Sequence, residues 1–217
     1  MTLKSSLKTL VTLGKGVLQG LPEAAEDRDP IELFQEWFAA ARESGILLPE
    51  SVALATASPE GVPSVRMVLV KGIDERGFVF YTNYGSRKAR EMESNPRAAL
   101  CAHWPVLERQ VRIEGSVARV STEESTRYFA TRARGSRIGA WASKQSEILP
   151  SREQLEERFQ RARVEHSGDE IPLPPFWGGY LLRPTVIEFW QGKADRLHER
   201  LVFERDGQAW STHRLYP

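Results

Sequence analysis

Apolar positions along the chain follow two rhythms. Ile31, Phe34, Trp37, Phe38 and Ala41 recur at helical spacing behind Asp29-Pro30-Ile31-Glu32. An Asp N-cap, Pro at the first helical position and Glu two residues later predict a helix that Gly45 ends. Past residue 50 the runs become short, β-branched and aromatic, predicting strands at 52–57, 62–70, 78–82, 98–104 and 110–120. Pro59-Glu60-Gly61 and Asp74-Glu75-Arg76-Gly77 read as hairpin connections. Three helices interrupt or follow these strands: one capped by Ser86 and ending before Asn95-Pro96, one capped by Ser121 with Glu124 and reaching about Thr131, and one from Ser151 with Gln154 to about His166. Strands at 180–182, 186–191 and 197–205 come next, and Asp206-Gly207 turns into a last strand at 208–215. Hairpin-linked strands with a few helices predict a mainly β, α+β fold built on an antiparallel barrel. Residues 29–217 form one domain in this reading, and 1–28 are a mobile N-terminal arm.

Composition narrows the class. The 217 residues are 41% hydrophobic and 27% charged, enough apolar material for a substantial core. The single cysteine, Cys101, excludes an intramolecular disulfide and a thiolate metal cluster. His103, His166, His198 and His213 lie far apart in sequence, so no metal site is expected. No run approaches the ~18 apolar residues of a membrane span, and the first 20 residues lack a secretory cleavage pattern. The expected location is cytoplasmic, with no membrane or nucleic-acid partner.

A net charge of +1, taken alone, argues against anionic partners as well. Its distribution says otherwise: residues 61–150 hold fifteen bases against nine acids, and 21–60 hold two bases against nine. Several of these bases sit in unusual settings. Arg87 and Lys88 occupy the first turn of a helix, where acids are preferred, so an anion at the helix start is one reading. A solvated face with an Arg87–Glu91 pair is the other. If one helix spans them, Tyr128, Arg132 and Ser136 share a face and offer three donors suited to a phosphate ester. Arg66 and Lys71 stand in an otherwise apolar strand, on opposite faces unless a bulge intervenes. Arg196, His198 and Arg200 would form a cation–His–cation stripe along one face of a strand, with Leu197 and Leu201 opposite.

These residues fall within motifs that resemble the pyridoxamine (pyridoxine) 5′-phosphate oxidase family: Arg66-x-x-x-x-Lys71, Phe80-Tyr81-Thr82-Asn83-Tyr84, Ser86-Arg87-Lys88-Ala89, Gln110-Val111-Arg112, Gly139-Ala140-Trp141-Ala142-Ser143 with Gln145-Ser146, Trp177-Gly178-Gly179-Tyr180, Glu188-Phe189-Trp190 and Arg196-Leu197-His198-Glu199-Arg200. The similarity runs from about Asp29 to Pro217. It implies an FMN-binding split barrel and a homodimer with FMN at the subunit interface. Matched position by position, it implies FMN contacts for Arg66, Met67, Lys71, Tyr81, Thr82, Arg87, Lys88, Gln110, Gln145, Ser146, Trp190 and Arg200, some from the other subunit. Lys71, Tyr128, Arg132 and Ser136 resemble the pocket for the substrate phosphate, and Arg196 and His198 the residues over the pyridine ring. The implied reaction oxidises pyridoxamine or pyridoxine 5′-phosphate with O2 to pyridoxal 5′-phosphate and H2O2, with ammonia from the amine. One departure stands out: residues 1–27 contain neither the Arg nor the Tyr that family members often carry in this arm.

Three rivals remain at this level. A phenazine-biosynthesis-type flavin oxidase would act on a substrate without this phosphate. A non-catalytic FMN or pyridoxal-phosphate binding protein would be expected to lose Arg196 or His198. An RNA-binding module would use the basic run 127–137.

Overall fold

The computed structural model describes residues 20–22 and 24–217. Its eight strands are β1 (Ser51–Ala57), β2 (Pro63–Asp74), β3 (Gly77–Asn83), β4 (Arg97–Trp104), β5 (Arg109–Arg119), β6 (Trp177–Gln191), β7 (Glu199–Asp206) and β8 (Ala209–Arg214). Every pairing is antiparallel, in the order β3-β2-β1-β4-β5-β6-β7-β8. An extra β3–β6 pairing closes the first six strands into a barrel and leaves β7 and β8 outside it.

β6 makes that arrangement possible. Residues Phe78–Asn83 of β3 pair with Leu182–Trp177, whereas β7 pairs only from Val186 onward. Between the two partners lie Arg183 and Pro184, where the register against β5 also shifts. Proline has no N–H to give a ladder, so it sits where β6 changes neighbour. The sequence reading split this strand at Arg183-Pro184-Thr185; the backbone in fact runs through as one strand.

Among the described residues, five α-helices surround the barrel: α1 (Pro30–Glu43), α2 (Arg87–Ser94), α3 (Thr122–Thr131), α4 (Arg134–Ala142) and α5 (Arg152–Glu165). Asp29 caps α1 by accepting from the Ile31 and Glu32 N–H groups, and Gly45 follows its end at φ 81°. The buried face of α1 presses Phe34 edge-on to Phe78 at 4.8 Å and Trp37 edge-on to Phe189 at 5.2 Å. Each such ring contributes roughly 1.5–3 kcal/mol by leaving water. A second, smaller core joins Phe129, Ile138 and Ala162 of α3, α4 and α5 to Trp177 at the start of β6.

Two further points differ from the sequence reading. The helix capped by Ser121 ends at Thr131, as predicted, so the condition for a shared Tyr128–Ser136 helical face is not met: Arg132 is extended at φ −74°, ψ 146°, and a helix the sequence reading did not include, α4, begins at Arg134. The proposed strand through Arg196 and His198 does not form, because β7 starts only at Glu199. A 3-10 turn at Ala194–Arg196 precedes it, with Asp195 and Arg196 both at positive φ, 55° and 60°. Leu197 is accordingly exposed while Leu201 is buried. Of the arm, residues 1–19 and 23 lie outside the described residues. The part next to the barrel is tied down: the Leu21 N–H donates to Glu199 at 2.6 Å, and Arg214 pairs with Glu26 at 2.6 Å.

Candidate active site

A cavity of about 400 Å³ opens between β2, β3 and the α3–α4 corner. Its lining includes Met67, Lys71, Tyr81, Thr82, Lys88, Tyr128, Arg132, Ser136, Gln145 and Trp177. The break in the helix does not scatter Tyr128, Arg132 and Ser136, because the extended Arg132 turns the chain around the same cavity. The rings of Tyr81 and Tyr128 stack at 3.9 Å, and Tyr81 lies parallel to Trp177 at 5.6 Å. Gly179 makes room for this wall: a Cβ there would come within 2.8 Å of the Tyr81 ring. The Arg132 guanidinium lies 4.7 Å from the Trp177 ring, and its buried Nη1 has no hydrogen-bond partner. An unpaired buried guanidinium N–H is costly, and an anion in the cavity relieves that cost. Trp177 stood in the sequence only as part of a matched motif; its role in the wall follows from β6 pairing with β3, which spacing along the chain does not reveal.

Lys71 reaches the cavity through a bulge. The β2–β3 register shifts between Val70 and Gly72, leaving Lys71 as the extra residue. Its Nζ pairs with Glu50 at 3.1 Å. Arg66 lies outside the cavity lining, so the two bases do diverge. Its guanidinium donates to Thr56 and Ser64 and pairs with Glu91 at 3.2 Å.

The cation group at the start of α2 adjoins the cavity. Ser86 caps the helix through the Ala89 N–H, as the sequence predicts. Lys88 Nζ donates to Thr82 Oγ1 at 3.2 Å, Ser86 Oγ at 3.4 Å and Gln145 Oε1 at 3.4 Å. Burial, aided by the neighbouring Arg66 charge, pulls the Lys88 ammonium down to about 8. The Arg87 N–H donates to Ser146 Oγ at 3.1 Å, and its Nε pairs with Glu91 at 2.7 Å. The Arg87–Glu91 pair of the solvated-face reading therefore exists, beside the converging cations of the anion reading. Glu91 is buried and central to both, although the sequence marked it only as a helical i, i+4 neighbour.

A second group stands apart. Gln110, Trp190 and Arg200 are direct cross-strand neighbours on β5, β6 and β7. Arg200 pairs with buried Glu188 at 2.7 Å. His198 lies 4.7 Å from the Trp190 ring, and its Nδ1 accepts the Lys193 N–H at 3.2 Å. Arg196 is exposed. None of Gln110, Trp190, Arg196, His198 or Arg200 lines the cavity. Tyr81 pairs with Gly179 and Gln110 with Trp190, eleven residues further along the same strand. At about 3.3 Å per residue, that separates the groups by up to roughly 36 Å.

Among the described residues, no group of three His, Cys, Asp or Glu could hold a metal ion, and no helix is long and apolar enough to cross a membrane.

A family model described as pyridoxamine 5′-phosphate oxidase matches residues 39–166, and one for the pyridoxine 5′-phosphate oxidase C-terminal dimerisation region matches 177–217. The chain belongs to the pyridoxamine 5′-phosphate oxidase family. A pyridoxine/pyridoxamine 5′-phosphate oxidase from Colwellia psychrerythraea is 51% identical across the whole of both chains. Another, from Rubrobacter xylanophilus, is 57% identical over 91% of each. Among solved structures, PhzG from Burkholderia lata in complex with tetrahydrophenazine-1-carboxylic acid aligns with a TM-score of 0.83 at 35% identity, covering 87% of this chain and 93% of that one. A pyridoxamine 5′-phosphate oxidase-related, FMN binding protein from Nostoc punctiforme shares the fold with a TM-score of 0.72 at 19% identity, covering 88% and 99% of the two chains. Family membership thus agrees with the barrel predicted from the strand pattern.

Proposed function

We propose that the chain is an FMN-dependent oxidase that converts pyridoxine 5′-phosphate, with O2, to pyridoxal 5′-phosphate and H2O2, and converts pyridoxamine 5′-phosphate, with O2 and water, to the same products and ammonia. The observation that carries this reading is the cavity itself, where Lys71, Tyr128, Arg132 and Ser136 converge and Arg132 Nη1 is buried without a partner. Those four donors suit the substrate phosphate. Arg87, Lys88 and Ser86 at the start of α2, with Arg66 of β2 beside them, suit the phosphate of FMN, and they adjoin the same cavity through Lys88, Thr82 and Gln145.

FMN, when bound, supplies the two-electron redox chemistry. The protein's own part is to hold, orient and polarise. Anchoring the substrate phosphate at Arg132 and its neighbours uses binding far from the reacting carbon to fix that carbon's position. Tyr81, Tyr128 and Trp177 exclude water from one wall. With Nδ1 accepting the Lys193 N–H, a neutral His198 carries its proton on Nε2 and presents a donor there. The Arg196 guanidinium stabilises charge that develops during the oxidation.

Arg196, His198, Gln110, Trp190 and Arg200 stand too far from the cavity to complete it within one chain. In the proposed homodimer, FMN lies at the interface and these residues reach the other chain's cavity. Two observations support that arrangement. The family model matching the β6–β8 region is described as a dimerisation region. Next to the cavity, β2 leaves Val65 and Met67 exposed at 70% and 62%, an apolar stripe suited to a protein partner.

The test is purified protein with FMN and pyridoxine 5′-phosphate under oxygen electrode and absorbance readout. A yellow protein forming pyridoxal 5′-phosphate with matching O2 uptake is expected; a colourless protein with no turnover after FMN addition overturns the reading. The phenazine-type alternative draws on the 35% identical structure. It predicts turnover indifferent to removal of the substrate phosphate.

A further inference from the structure

Glu91 lies one turn into α2, at 7% exposure, and belongs to none of the residue sets matched above. Its Oε2 accepts hydrogen bonds from Thr56 Oγ1 at 2.5 Å and Ser64 Oγ at 2.6 Å, and pairs with Arg66 Nη2 at 3.2 Å. Its Oε1 accepts from Arg87 Nε at 2.7 Å. The donors come from three elements, β1, β2 and α2, and meet on one carboxylate. Burial alone would raise the Glu91 pKa, but the hydrogen bonds from Ser64, Thr56 and Arg87 outweigh it and hold the group at about 2. Glu91 is therefore a fixed anion at any ordinary pH.

The three cations around it are treated differently. Lys88 gives its ammonium to the neutral oxygens of Thr82, Ser86 and Gln145. Arg66 and Arg87 are both locked to Glu91. Arg87 commits only its Nε edge, and its two Nη groups have no hydrogen-bond partner among the described residues. A free arginine side chain loses up to ~2 kcal/mol of rotamer entropy when it is fixed on a ligand. A carboxylate that fixes the fork beforehand removes part of that loss, although its charge opposes an incoming anion. These two effects have opposite signs, so the sign of the measured change identifies which one dominates.

We infer that Glu91 is a positioning residue that preorients Arg66 and Arg87 for the phosphate of the flavin. This rests on the FMN reading above. Its signature is specific to phosphate: the ribityl and ring portions of the cofactor do not need the arginines to be held.

The experiment is equilibrium titration of the full-length protein, freed of flavin, with FMN and in parallel with riboflavin, which lacks the phosphate. Wild-type protein should prefer FMN; equal affinity for the two would sink the FMN reading itself, before Glu91 is at issue. Given that preference, Glu91→Gln should weaken FMN by about tenfold while riboflavin affinity changes less than twofold and KM for pyridoxine 5′-phosphate at saturating FMN holds. Parallel loss of both flavins would mean that Glu91 merely supports the fold. Unchanged or tighter FMN binding would mean that its charge competes with the phosphate. Both results overturn the inference. Ser64→Ala covers the case in which Glu91→Gln does not fold. It removes one donor to Glu91 Oε2 and an acceptor for Arg66, and a smaller loss confined to FMN, about threefold, is expected. Equal shifts for both flavins in that variant would overturn the inference as well.

Discussion

The cavity between β2 and β3 and the Trp190–Arg200 region hold the same kinds of residue, arginines beside aromatic rings, yet they are built in opposite ways. In the first, the side chains converge within one chain, the aromatic wall is stacked, and Arg132 Nη1 is buried without a partner. In the second, Arg196 and Leu197 are exposed on a turn with two consecutive non-glycine residues in the left-handed region. Backbone there costs of order 1–3 kcal/mol per residue and persists only where something holds it. The contrast separates a preformed anion pocket from a presented edge, and on the proposed reading only the second depends on another chain.

The largest effect should come from the presented edge. Arg196→Ala should lower kcat by about 100-fold, as loss of a charge-stabilising donor does, while FMN affinity changes little. Steady-state kinetics together with flavin titration check this, and a change in KM alone would move Arg196 out of the chemistry. In the cavity, Arg132→Ala should raise KM for the phosphorylated substrate by roughly 10- to 100-fold, the loss of one charged hydrogen bond, well above any effect on FMN. Equal losses for substrate and FMN would mean that the two anion positions are wrongly divided. Gly179→Ala forces a Cβ against Tyr81 and Val120, and should cost about 1–3 kcal/mol in denaturant unfolding, with weaker substrate binding. An unchanged unfolding midpoint would show that the aromatic wall yields without cost.

The smallest effect is a pH dependence that only the cavity side should show. Lys88 is held down to about 8 by burial and by Arg66, so the flavin-free protein loses this charge as pH rises through about 8. A phosphate nearby favours the charged form. FMN affinity should therefore fall above pH 8, by at most tenfold per unit, with proton uptake on binding detectable by calorimetry in buffers of different ionisation enthalpy. For the protein without flavin the sign is reversed: the unfolded chain holds this proton up to about 10.5, so the Lys88 contribution to stability improves between about 8 and 10.5. In Lys88→Met both dependences should vanish.

Local signals carried most of the fold. Asp29, Ser86, Ser121 and Ser151 cap the helices predicted for them, because an N-cap is written within four residues. Strand edges held to within a few residues, except where β6 passes Pro184 without ending. That exception follows from tertiary pairing: a proline is tolerated only because β6 exchanges β3 for β7 there. The helix α4 and the Arg196 turn were hidden for a related reason. Periodicity places residues on a face only while the element continues, and Arg132 and Arg196 are where it stops. The convergence of Tyr128, Arg132 and Ser136 survived because the corner replaces the helical face. Glu91 and Trp177 could not be read as parts of the site, since their partners come from β1, β2 and β3, distant along the chain.

The central claim is that a complete site needs the cavity of one chain and the Arg196–Arg200 edge of another. Mixing tests it directly. Arg132→Ala and Arg196→Ala proteins, each nearly inactive at substrate concentrations well below the wild-type KM, are unfolded, combined in equal amounts, refolded together and assayed at that low substrate. Random pairing makes half the dimers mixed, and each mixed dimer has one site free of both changes, so activity should recover to about one quarter of wild type. If each chain instead builds its own whole site, every site carries a change, and activity no higher than that of the parent variants would contradict the account.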